Sequence, residues 1–132
     1  MAYAVGLLAT DGHLSKDGRH IDLTSKDVDQ LMNFQKCIGQ DHKIYCKRVK
    51  GARSVYFHIQ FSDVKFYNWL LSIGLKQQKT KLLSDISVPD EYFFDFIRGH
   101  FDGDGSVYAY FDPRWKRSYM FYVTFLANNR AH

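Results

Sequence analysis

The chain has 132 residues, of which 45% are apolar, 17% aromatic and 24% charged. That composition fits one folded domain or two very small repeats, and it excludes a disordered chain, because so much apolar surface offsets the entropy of ordering. Eighteen Lys and Arg against fourteen Asp and Glu leave a net charge of +4, a mild basic bias compatible with nucleic acid. No apolar run approaches the ~20 residues of a membrane helix. The start, Met-Ala-Tyr-Ala-Val-Gly, lacks the basic region of a secretory leader. Cys37 and Cys46 form no CxxC pair, which speaks against a disulfide framework or a cysteine zinc site and for reduced thiols in a cytosolic setting.

In chain order, a short helix leads into Asp11-Gly12. A turn at Lys16 to Arg19 and the alternating run His20 to Thr24 then predict a β-hairpin. Ser25 is placed to cap a helix over 26–38, with Val28, Leu31, Phe34 and Ile38 on one face and Gly39 ending it. Lys43 to Val49 and Arg53 to Phe61 read as a second hairpin. In it Val55, Phe57, Ile59 and Phe61 alternate with Tyr56, His58 and Gln60, the period of a half-buried strand. Ser62 is placed to cap a helix reaching about Ser72, and Gly74 ends it. A basic stretch runs from Lys76 to Lys81. Pro89 sits at a natural first helical position, and the helix it opens ends in Asp104-Gly105. A last hairpin pairs Ser106 to Phe111 with Tyr119 to Phe125 around Asp112-Pro113. Trp69 and the aromatic run Tyr92 to Phe96 are expected in the core.

The two Asp-Gly segments repeat. Gly6 and Asp11-Gly12 recur as Gly99 and Asp104-Gly105 at an offset of 93 residues, each followed by a hairpin. The expected class is α+β, with an αββαββα repeat over 1–88 followed by a partial αββ repeat over 89–132. A calcium loop at Asp102 to Asp104 is excluded, since the positions that need Gly and Glu hold Val107 and Pro113.

The segment Phe96-Ile97-Arg98-Gly99-His100-Phe101-Asp102-Gly103-Asp104-Gly105-Ser106, with its weaker partner at Ala4 to Gly12, resembles the paired motifs of LAGLIDADG homing endonucleases. Gly74-Leu75 followed by Lys79-Thr80, and Val88-Pro89-Asp90-Glu91-Tyr92 before the motif, extend the resemblance. The physics of the motif stands beside it. Small residues at Gly6 and Thr10, and at Gly99 and Gly103, make a flat stripe on each helix, so two helices can meet backbone to backbone. Asp11 and Asp104 then end side by side. A divalent cation relieves their repulsion, and oxygen ligands open to phosphate favour Mg²⁺ and metal-assisted phosphodiester hydrolysis.

The resemblance implies motif helices packed above curved antiparallel DNA-binding sheets. It implies a site-specific double-stranded DNA endonuclease with Asp11 and Asp104 catalytic, and the metal held at Asp11, Asp104, Gly12 and Gly105. Lys79 would assist, with Lys76 as the fallback. Position 102, an Asp matched by Ala9 in the first motif, is not the essential ligand. The DNA surface would carry His13, Ser15, Arg19, His20, Asp22 and Thr24 from the first hairpin. The second hairpin would add Lys43, Tyr45, Lys47, Arg48, Arg53, Tyr56, His58 and Gln60. Ser106, Tyr108, Tyr110, Arg114 and Lys116 would continue it. Lys43 to Arg53 holds five basic residues and no acidic one. The alternative is a catalytically silent DNA- or RNA-binding module. The short second repeat also predicts self-association or a partner chain that completes it. The setting would be cytoplasmic, or organellar for an intron-encoded protein.

Overall fold

The computed structural model describes residues 1–48, 55–77, 86–115 and 117–125. In chain order these form α1 (Ala2–Thr10), β1 (Gly12–Leu14), β2 (His20–Ser25), α2 (Val28–Ile38), β3 (Tyr45–Arg48), β4 (Val55–Ser62) and α3 (Val64–Ser72). A 3-10 turn (Asp90–Tyr92) follows, then α4 (Phe93–Asp104), β5 (Ser106–Phe111) and β6 (Tyr119–Thr124). No described helix is long and apolar enough to cross a membrane.

The strands form two separate antiparallel sheets. One has four strands in the order β1-β2-β4-β3; the other is the β5–β6 ribbon alone. This corrects the expectation of curved sheets spread beneath the motif helices. Curvature across a wide surface needs several strands twisting in succession. Among the described residues, β5 and β6 have only each other as neighbours.

The core lies between one face of the four-stranded sheet and α1, α2 and α3. Leu14, Ile21, Leu23, Ile59 and Phe61 point into it from the strands; Leu31, Phe34, Tyr67 and Leu70 meet them from the helices. Helix α1 is buried almost all round, through Tyr3, Ala4, Val5, Leu7 and Leu8, because α4 covers the side that the sheet and α2 leave open.

The helix caps lie one or two residues beyond the expected serines. Asp27 caps α2, accepting from the Asp29 N–H at 2.9 Å, while Ser25 accepts from the Asp27 N–H at 3.0 Å. Asp63 caps α3, accepting from the Phe66 N–H at 2.9 Å, because Ser62 is still paired with His20 in the sheet. Gly39 ends α2 in the left-handed region at φ 67°. Several expected core positions are exposed instead. Val28 lies outside the buried stripe of α2, and Trp69 is 40% exposed on α3. Of the run Tyr92 to Phe96, Phe96 alone is buried. Consecutive helical residues fan around the axis, and α1 covers only one side of α4.

The Phe66 N–H and the Gln40 side-chain amide hold the Asp63 carboxyl below its ordinary value of 3.8. Asp63→Ala should therefore lower stability by about 1 kcal/mol at pH 7 in denaturant titration. The sign follows from the lowered folded value. The difference is full above pH ~4 and vanishes as the pH falls through the folded-state value, where wild type loses the charged cap too.

Candidate active site

Helices α1 and α4 touch through their backbones. A Cβ on Gly6 would stand 2.2 Å from the Phe96 carbonyl oxygen, and one on Gly99 would stand 2.1 Å from that of Tyr3. One turn on, a Cβ on Gly103 would meet Thr10 Oγ1 at 1.9 Å. The small-residue stripes are what allow this approach. Both helices stop at the same end of the pair. Asp11 is the cap of α1, its N–H bonded to the Leu7 carbonyl at 2.9 Å. Asp104 is the last residue of α4, and the Gly105 N–H bonds the Phe101 carbonyl at 2.8 Å. Asp11 Oδ2 lies 3.3 Å from the Cβ position of Gly103, against the final turn of α4.

The 93-residue offset equates Tyr3 with Phe96 and Ala9 with Asp102. The two sides of the pair thus differ. On one, the Tyr3 hydroxyl donates to Asp102 Oδ2 at 2.8 Å. On the other, the equivalent residues are Phe96 and Ala9, with no polar side-chain atoms. Burial, reinforced by the Asp102 carboxylate, raises the Tyr3 hydroxyl well above its ordinary pKa, so it remains a donor. Gln30 Nε2 donates to the Asp102 carbonyl at 2.6 Å and ties α2 to the pair. These bonds floor a cleft of about 700 Å³ whose lining includes Asp11, Asp102, Lys26 and Tyr56. The Lys26 ammonium sits 5.5 Å over the Tyr56 ring. Sequence reasoning singled out neither Tyr3 nor Gln30, and took Lys26 only as part of the Ser25-Lys26-Asp27 entry to α2. The available signal was Asp102 itself, an acid on a helix face where its repeat partner is alanine.

Among the described residues, no three His, Cys, Asp or Glu side chains gather as a metal cluster. The residues that could hold a divalent cation here are Asp11 and Asp104, at the ends of the two helices, with the main chain of Gly12 and Gly105 next in sequence. Such a set fits Mg²⁺, which takes one or two carboxylates and fills its remaining positions with water and phosphate oxygen.

The register gathers most of the proposed groove residues on the face of the four-stranded sheet opposite the core. His13, Asp22 and Gln60 form one row across β1, β2 and β4; Thr24, His58 and Tyr45 form the next across β2, β4 and β3. Lys47 pairs with Tyr56, and His20 with Ser62. The His58 ring stacks on Tyr45 at 5.4 Å, with the Lys43 ammonium 5.2 Å over the same tyrosine. Arg48 is in register with Val55, one step out of that series. Ser15 lies just beyond β1, its carbonyl accepting from the Tyr67 hydroxyl. Arg19 is in the turn, 3.5 Å from Asp17, whose carboxyl is also bonded to His20 and thereby held far below its usual range. On β5–β6, Tyr108 and Tyr110 flank Tyr122 in a parallel stack at 5.0 and 5.7 Å, and Ser106 Oγ bonds Thr124 Oγ1 at 2.6 Å. Arg114 is engaged by buried Asp112 at 3.0 Å. Arg53, Lys79 and Lys116 lie outside the described residues.

No protein-family model matches the chain, and no curated protein is similar to it. Function is therefore read from the site.

Proposed function

We propose that the chain is a site-specific double-stranded DNA endonuclease of the LAGLIDADG type, acting in the cytoplasm or an organelle. The observation that carries this reading is the helix pair. Two helices meet backbone to backbone at Gly6 and Gly99 and stop at the same end of the pair, at Asp11 and Asp104. Asp11 and Asp104 would hold the cation. A divalent ion bound there would neutralise charge on the scissile phosphate and lower the pKa of a water so that hydroxide is available to attack phosphorus. The rows His13–Asp22–Gln60 and Thr24–His58–Tyr45 present donors and acceptors to a groove, while Lys26 and Lys43 take phosphates.

The width of the second sheet favours one competing reading. A two-stranded ribbon offers fewer groove contacts than a four-stranded sheet, as in a binding module that no longer cuts. Incubating long duplex DNA of mixed sequence with the protein separates the two. Cut ends that require Mg²⁺ and vanish with EDTA are expected. Affinity should fall by about 10²-fold or more between 50 and 200 mM salt, as released counterions dictate. Salt-sensitive binding with no cutting leaves the module reading, and a flat salt response removes the sheet as the DNA surface.

A further inference from the structure

The hairpins that follow the two motif helices share a register but not a cover. In the first, Leu14 pairs with Ile21; in the second, the equivalent pair is Val107 with Val123. Leu14 and Ile21 are 1% and 0% exposed, beneath α2 and α3. Val107 and Val123 are 51% and 50% exposed. The same face continues through Ala109 paired with Phe121, which is 64% exposed, and Phe111 paired with Tyr119. This face turns toward the helices, since Phe125 at its near end packs on Phe101 of α4. The opposite face is the tyrosine stack.

We propose that the Val107–Phe121 face of the β5–β6 ribbon is the interface of a symmetric dimer, with two copies of this chain packed ribbon on ribbon about a two-fold axis. Three observations choose a second copy as the occupant. The six residues of the face carry no charge, so two chains that each bear +4 meet where they do not repel. The face is self-complementary in size: Phe121 stands beside Ala109, so a two-fold axis running between the strands would lay each Phe121 ring over the other copy's Ala109. The area is also sufficient. At ~150–250 Å² per aromatic side chain, the exposed fractions leave about 500 Å² of apolar surface per copy. A pair would bury about 1,000 Å², the lower bound for a specific association. Sheets packed this way lie ~10 Å apart and leave both tyrosine stacks facing outward.

The inference does not rest on nuclease activity, and its test contains no DNA. Sedimentation equilibrium of the 132-residue chain from 1 to 200 µM should give a monomer–dimer equilibrium with a micromolar constant. Phe121→Lys and Val107→Lys should each weaken it at least tenfold with the far-UV spectrum unchanged, because these side chains are largely in solvent in the monomer. Thr124→Lys, on the other face, should leave it intact. A monomer at every concentration overturns the proposal. So does a dimer indifferent to both face variants, and so does growth beyond dimer, which a closed two-fold forbids.

Discussion

Gly99→Ala should destabilise the protein by about 3 kcal/mol or more, and Gly99→Val should leave it without a cooperative unfolding transition. The added Cβ would sit 2.1 Å from the Tyr3 carbonyl oxygen and 2.9 Å from its carbonyl carbon. Both are backbone atoms, so no rotamer change relieves the contact. The helices must move apart by more than an ångström, and the Tyr3–Asp102 bond and the packing beside it go with them. Against a total stability of roughly 5–15 kcal/mol, that loss is large. Gly18 is the control. It has φ +79° and nothing within 4 Å of its Cβ position, so Gly18→Ala should cost only about 1 kcal/mol for the left-handed backbone. Urea titrations of both variants decide it. A Gly99→Ala protein as stable as wild type would mean the helices do not touch as described.

On the nuclease reading, Asp11→Asn and Asp104→Asn should each lower Mg²⁺-dependent cleavage by about 10³-fold or more, because two carboxylates sharing one metal would fail together. The same variants should fold as well as wild type. Asparagine keeps the shape of the side chain, so without metal the melting temperature should stay level. Adding Mg²⁺ should raise the melting temperature of wild type and not of either variant, since only the native site binds the ion. Cleavage that survives both substitutions removes the paired carboxylates from the chemistry. Loss of cleavage with an unchanged Mg²⁺ shift assigns the ion to another place.

The helix pair was legible because its signal is a pattern that short segments carry whole. Gly6, Thr10, Gly99 and Gly103 have the spacing of one helix face, and the 93-residue offset says that the two faces are partners. The alternation around Ile59 and Phe61 likewise found the inner face of β4. What failed depends on context that no local pattern holds. Ser62 and Asp63 both make good caps. Asp63 takes the role because Ser62 pairs with His20, a contact more than forty residues away in sequence. Val28 and Trp69 have helical periodicity, yet burial depends on what covers each face of the helix. The aromatic run Tyr92 to Phe96 reads as core by composition, yet α1 covers only the side that holds Phe96. The curved sheets were implied by resemblance alone, and strand count decided otherwise. The Tyr3–Asp102 bond joins residues 99 positions apart, and only folding brings it into view.

On the nuclease reading, that bond bears on the shape of the target. A palindromic duplex repeats its sequence about its own dyad, so it rewards a reader whose two halves are identical. Here one side of the pair carries tyrosine bonded to aspartate, and the other carries phenylalanine and alanine. The surfaces beyond them are as unequal, a four-stranded face with lysines and histidines against a ribbon of stacked tyrosines. For a DNA-binding chain built this way, each arm of the target meets different chemistry. Such a chain would prefer a sequence with unlike arms, and a target made symmetric from either arm would lose contacts on the other.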